Sequence, residues 1–231
     1  MLITTRDSEI THAARAGAVA IAPLIIGFAP FALVVGATIG AATDHAAGIA
    51  GSWVIYGGSA QLATVRTLES GGALMAILAA LLIQTRLLVY SASISQHWLE
   101  QPRWFRIAAA PMLVDPVWAV AEARALQPGS AREIRAHYFG AAISLFLAWT
   151  TFIIAGVLLG SRLDSNALGV AAPLCLLWLA GSRMKDPRTR TIVIAAAAGA
   201  LAARALPSGL SIFVAVLTGC VVGGALDRSS S

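Results

Sequence analysis

An all-α, polytopic helical membrane protein is what this sequence predicts, with about eight membrane segments and several broken or kinked helices. Of its 231 residues, 58% are hydrophobic and only 12% charged, with a mean hydropathy of +0.79. A soluble domain is about a quarter charged. The apolar residues come in long blocks rather than in alternation or in one stripe, the pattern of helices buried around their whole circumference. Glycines and prolines fall inside these blocks, where lipid leaves no water to satisfy freed backbone groups.

Apolar blocks set against polar breaks give segments at 17–40, 46–65, 72–96, 106–123, 138–160, 166–182, 191–206 and 208–226. Most approach the roughly 20 residues needed to cross a bilayer. The first carries Pro23, Gly27 and Pro30, a kink signature. The seventh is short, with Arg204 near its end and Pro207 beyond it, so segments seven and eight could be partly crossing half-helices. The whole chain, 1–231, reads as one membrane-embedded domain. Residues 1–16 form a cytoplasmic N-terminal segment and 227–231 a cytoplasmic tail. The first apolar run is long and has no evident cleavage site, so it reads as a span rather than a signal peptide.

With eight crossings and the N-terminus inside, Arg6, Arg15, Arg66, Arg124, Arg132, Arg135, Arg183, Lys185, Arg188, Arg190 and Arg228 fall on the cytoplasmic side. Arg103, Arg106, Arg162 and Arg204 fall outside, and Arg86 lies within a span. That bias follows the positive-inside rule, although a re-entrant segment would change the parity. It also explains the pI near 10 without nucleic acid. Trp98 and Trp104 flank the connection after the third segment, a usual place for interfacial tryptophan. His12, His45 and His137 sit near segment ends and read as solvated. Gly36/Gly40, Gly156/Gly160 and Gly219/Gly223 are small-xxx-small pairs, common helix-packing devices. Cys175 and Cys220 lie in apolar blocks without further ligands nearby, so no metal site and no cofactor is expected.

The most informative stretch is Tyr56-Gly57-Gly58-Ser59-Ala60-Gln61, in the middle of the second segment. Paired glycines weaken a helix, and broken helices at membrane depth are where transporters place substrate sites. The competing reading is close helix packing. Gly57, Gln61 and Thr64 would share a helical face, with Ser59 and Gln61 offering uncharged donors and acceptors. In the third segment Arg86, Tyr90, Ser93 and His97 stand at i, i+4, i+7 and i+11, one polar stripe on an apolar cylinder. Arg86 is a rigid, permanently charged fork suited to a carboxylate, that of a substrate amino acid or of Asp115. In the fourth segment Asp115-Pro116 is a helix-start signature, so this segment reads as two pieces restarting at Pro116. Asp115 would either cap that restart or carry a proton. Glu122, toward the inner end, could reach water.

No His-Glu-x-x-His, Gly-x-Ser-x-Gly or phosphate-binding glycine loop occurs, and no enzyme is expected. Four places resemble the AzlC family, the large subunits of two-component branched-chain amino acid exporters. They are Pro30-Phe31-Ala32-Leu33-Val34-Val35-Gly36, the Tyr56–Gln61 stretch, Arg86-Leu87-Leu88-Val89-Tyr90-Ser91 and Leu113-Val114-Asp115. Gln84, Leu87 and Pro116 depart from residues common in that family. The resemblance implies proton-driven export of hydrophobic amino acids across the cytoplasmic membrane and a small AzlD-like membrane subunit as partner. Substrate binding would fall to Tyr56, Gly57, Gly58, Ser59, Gln61, Arg86 and Tyr90, and proton coupling to Asp115. A passive channel for small solutes or a non-transporting scaffold subunit would use the same broken helices.

Overall fold

The computed structural model describes residues 2–42, 44–160, 187–203 and 208–228. The segment expected at 166–182, with Cys175, lies outside these residues, as do Arg162, Arg183, Lys185, Arg204 and Pro207. Among the described residues every regular element is helical. The helices are α1 (Leu2–Gly40), α2 (His45–Ile55), α3 (Gly58–Gln84), α4 (Arg86–Ser95), α5 (Arg103–Ala109), α6 (Asp115–Ala125), α7 (Ala131–Gly160), α8 (Pro187–Ala202) and α9 (Ser208–Arg228). The chain forms two compact units, Met1–Ala172 and Pro173–Ser231. Among the described residues, three stretches of the first are long and apolar enough to cross a membrane: Ser8–Gly40, Gly72–Trp98 and Ala131–Gly160.

α1 and α7 form the spine of the first unit. Gly17 lies against the backbone of His137, Gly36 against Ile153 and Gly156, and Gly40 against Val157. The paired numbers rise together, so the two helices run parallel. A Cβ on Gly17, Gly36, Gly40, Gly140, Gly156 or Gly160 would meet backbone atoms of the partner helix. The small-xxx-small pairs Gly36/Gly40 and Gly156/Gly160 are therefore the two halves of one interface, closed by van der Waals contact. α1 runs unbroken through Pro23 and Pro30.

The segment expected to cross at 46–65 turns back instead. α2 stops at Ile55, Tyr56 adopts a left-handed conformation (φ 35°, ψ 53°), Gly57 is extended, and α3 begins at Gly58. The Gln61 Nε2 amide then donates to the Gly48 carbonyl at 3.1 Å. In a straight helix those residues would stand about 20 Å apart. α2 and the first part of α3 are thus a hairpin entering from the Gly40 end of the spine, where Gly48 packs on Ile39. Its tip reaches mid-depth: the Tyr56 ring meets Phe146 edge-on at 5.5 Å, and Gly58 abuts Phe31 and Trp149. Of the expected face, Gln61 and Thr64 lie within α3 and Gly57 is its N-cap, with the Gly57 carbonyl accepting from the Gln61 N–H at 2.8 Å.

α3 breaks again at Gly72 (φ 77°, ψ 176°). From there Gly72–Trp98 crosses in one direction. Gln84 reaches the α2 end at Ile55, and Trp98 packs on Tyr138 near the start of α7. This crossing therefore runs antiparallel to α1 and α7.

The segment expected to cross at 106–123 is a second hairpin. Trp104 lies under the Arg135 guanidinium (5.8 Å), while Arg124 pairs with Glu133 (3.6 Å). Both ends of the segment therefore meet the same turn of α7, whereas 20 residues of straight helix would separate them by about 30 Å. α5 ends in a 3-10 turn at Ala110–Met112, Val114 is extended, and α6 restarts at Asp115 with Pro116 in its first turn. The break falls where Asp-Pro places it, but the chain reverses there. Arg103 and Arg106 consequently lie at the same end of the unit as Arg15, and Arg66 lies toward the other, a correction to the sides assigned from eight straight crossings.

Two local expectations also change. His137 is buried rather than solvated, since its backbone forms the seat for Gly17. Trp98 is a core residue wedged between Phe105 and Tyr138, while Trp104 stays exposed. In the second unit α8 and α9 pair antiparallel, with Gly199 against Thr218 and Gly219 and Gly223 beside Ile192.

Candidate functional site

The two hairpins enter from opposite ends of the first unit, and one stretch of the Gly72–Trp98 crossing touches both tips. At the first tip the Gln84 Nε2 donates to the Ile55 carbonyl at 2.6 Å. That carbonyl is one of the four a helix leaves without an internal partner. At the second tip Arg86 Nη1 donates to Asp115 Oδ1 at 3.0 Å, and the Tyr90 hydroxyl donates to the same oxygen at 2.7 Å. Asp115 does not cap α6: the cap residue is Val114, without a side-chain bond. The ion pair is about one-third exposed on each side, at 34% and 31%.

The first tip is strained and under-bonded. Tyr56 is the one non-glycine residue with positive φ among those described. A bulky side chain in the left-handed region is uncommon and costs on the order of 1–3 kcal/mol. Its hydroxyl is buried without a hydrogen-bond partner among the described residues, as are Gln61 Oε1, Gln84 Oε1 and Arg86 Nε. Native proteins leave few buried polar atoms unpaired, so each of these atoms could take a bond from a ligand or water; of them, Gln61 stands beside Gly48 and Arg86 at the second tip. Gln61 itself is 2% exposed. Ser59 stands in the first turn of α3, whose leading N–H groups lack helical acceptors.

The residues expected to form a site are thus placed in two clusters joined by the Gln84–Arg86 stretch. Tyr56, Gly57, Gly58, Ser59 and Gln61 make the first tip; Arg86, Tyr90 and Asp115 make the second. Sequence reasoning missed Gln84, which appeared only as a departure, and underrated Glu122. The remaining polar stripe of α4 meets α6: Ser93 Oγ donates to Glu122 Oε1 at 3.0 Å, and His97 Nε2 lies 3.7 Å from the same oxygen. Asp115 and Glu122 stand at i and i+7, which would have signalled a shared face.

This fold and site define a helical membrane protein in which polar and ionisable side chains of one crossing hold the tips of two broken, folded-back segments. Residues 23–163, more than half of the chain and both hairpins, match the family described as AzlC protein, so the chain belongs to the AzlC family. That family is associated with branched-chain amino acid transport and is not enzymatic. Neither the comparison with curated proteins nor that with solved structures found a match.

Proposed function

We propose that this protein is a proton-coupled secondary transporter that exports branched-chain or other hydrophobic amino acids across the cytoplasmic membrane. The observation that carries this reading is the Arg86–Asp115 pair at the second hairpin tip, two residues from the Gln84 that holds the first, with the buried Arg86 Nε unpaired among the described residues. An α-amino acid is a zwitterion. Its carboxylate suits the guanidinium of Arg86, and its ammonium suits Asp115, so it can insert into the pair without adding net charge to a low-dielectric site. The aliphatic side chain would lie among apolar residues, with Tyr56, Ser59, Gln61 and Gln84 completing the polar contacts.

The same geometry supports antiport. A proton on Asp115 and a substrate ammonium compete for one carboxylate, so they occupy the site alternately. Inward proton movement then drives outward solute movement. Orientation follows from charge: Arg15, Arg103, Arg106, Arg124, Arg132 and Arg135 all lie at the α1-start end of the first unit, which the positive-inside rule assigns to the cytoplasm. A small AzlD-like membrane subunit remains part of the proposal as partner.

The test is leucine transport in proteoliposomes, with and without that subunit, under an imposed pH gradient. Leucine should move against the gradient, and neither leucinamide nor 4-methylpentanoate should compete with it, because each offers only one of the two charges. An Arg86→Ala variant that inserts normally yet transports undiminished would remove the anchor role and leave Arg86–Asp115 a structural pair. Leucine flux indifferent to the pH gradient would favour a passive pore.

A further inference from the structure

We infer that Glu122, with His97 and Ser93, is a second proton-carrying station, linking Asp115 to water at the α1-start end of the molecule. The inference rests on the transporter reading above and adds residues that reading does not use.

α4 and α6 run parallel as one polar seam. In order along both helices, Arg86 and Tyr90 hold Asp115, Tyr90 stacks on Trp118 (4.7 Å, 15° between planes), and Ser93 and His97 meet Glu122. Glu122 is half-buried, at 28% exposure, and its Oε2 is buried without a hydrogen-bond partner among the described residues. His97 is exposed. The seam thus runs from a wet histidine, through a partly bonded carboxylate, to the carboxylate at mid-depth. An ionisable side chain within a span is costly to keep and belongs where protons or ions pass.

Asp115 and Glu122 are seven residues apart, about 10 Å along the helix, too far for direct transfer. The buried Trp118 indole N–H, without a hydrogen-bond partner among the described residues, stands on the turn between them, and the Ser93 hydroxyl bonds Glu122; with a water they could bridge the gap. A proton leaving Asp115 passes through such water to Glu122, forming an O–H there and restoring the Asp115 carboxylate. Glu122 then releases it through His97 to the aqueous phase, so neither residue is changed over a cycle. Other charged and titratable groups at this end are Glu133 of α7, paired with Arg124, the buried His137, Arg132, Arg135 on Gln101, the exposed Glu100, Arg103 and Arg106, and Glu9, His12 and Arg15 of α1. None of these replaces Glu122 beside His97.

The experiment separates net proton movement from substrate exchange in the full-length protein. Leucine–leucine counterflow at equal pH on both sides needs only the substrate site; pH-driven transport needs a proton to reach water. Glu122→Gln should cut pH-driven leucine movement by about ten-fold or more and leave counterflow intact. Glu122→Asp should restore part of the driven rate, and His97→Asn should lower it. Driven transport unchanged in Glu122→Gln would overturn the relay while leaving the transporter reading in place. Equal loss of both activities would also overturn it, by making Glu122 a structural residue. No leucine movement of either kind by the wild-type protein would instead remove the transporter reading, and the relay with it.

Discussion

Gln84 and Arg86 are two residues apart on one crossing, yet each holds the tip of a different hairpin. Gln84 donates to Ile55 at the end of α2, and Arg86 donates to Asp115 at the start of α6. A shift of this short stretch along its axis would disturb both tips at once. In the transport cycle proposed above, a substrate held at Arg86 would thereby be felt by the hairpin on the opposite side.

Gln84→Leu keeps the volume and removes the donor, leaving the Ile55 carbonyl unpaired at membrane depth. The expected cost is about 1–3 kcal/mol, the penalty for orphaning a buried polar group. A thermal-unfolding midpoint in detergent should fall. An unchanged midpoint would mean the bond does not hold the tip. Gln84→Glu presents only acceptors when ionised and should not rescue the loss.

Tyr56→Phe separates a structural tyrosine from a ligand-binding one. The hydroxyl is buried without a partner among the described residues, so deleting it removes a desolvation cost and should leave stability equal or slightly higher. If the hydroxyl contacts the transported solute, the apparent KM should rise by about five-fold, the equivalent of one hydrogen bond of about 1 kcal/mol. A lower melting point with unchanged KM would assign Tyr56 to packing alone.

Gly57 and Gly58 should respond differently to alanine. A methyl group on Gly58 would drive into the Phe31 and Trp149 rings, whereas one on Gly57 would meet the end of the Gln84 side chain at 3.0 Å. Overpacking of the first kind costs about 1–3 kcal/mol; the second needs the Gln84 amide to give by a few tenths of an ångström while keeping its bond to Ile55, a smaller cost. Gly58→Ala should therefore destabilise clearly, and Phe31→Leu in the same chain should recover part of the loss. Equal effects at both positions would contradict the tip geometry.

How much of this was legible beforehand depended on distance along the chain. The helical class, the breaks at Tyr56–Gly57 and at Asp115–Pro116, and the polar stripe of α4 were all readable, because local chemistry sets them. Glycine pairs weaken a helix, and proline starts one. What the chain does after a break was not readable. Nothing near Gly57 says whether α3 continues or folds back; the decision rests on Gln61 reaching Gly48 and on Gln84 reaching Ile55. The partner of Glu122 was hidden for the same reason, since it faces Ser93 only when α4 and α6 run parallel. His137 looked solvated because its burial comes from Gly17, 120 positions earlier in the chain.

The reversal of both broken segments changes which connections share a side of the membrane, and that is directly measurable. If 46–65 and 106–123 crossed straight, residues 41 and 73 would face opposite sides, as would residues 100 and 132. With two hairpins, Ala41 and Ala73 share the Gly40 end of the spine, and Glu100 and Arg132 share the other, where Gln101 bonds the Ala131 carbonyl and Arg135. In a chain with Cys175 and Cys220 replaced, single cysteines at these four positions should label in two pairs with an impermeant maleimide. Ala41→Cys and Ala73→Cys should react from outside intact cells. Glu100→Cys and Arg132→Cys should react only after permeabilisation, following the arginines gathered at their end. Labelling of Ala41→Cys and Glu100→Cys together from outside would restore the straight crossings. It would also exclude one of the two pairings, since α4 and α6 can align Asp115 with Arg86 and Glu122 with Ser93 together only if they run the same way.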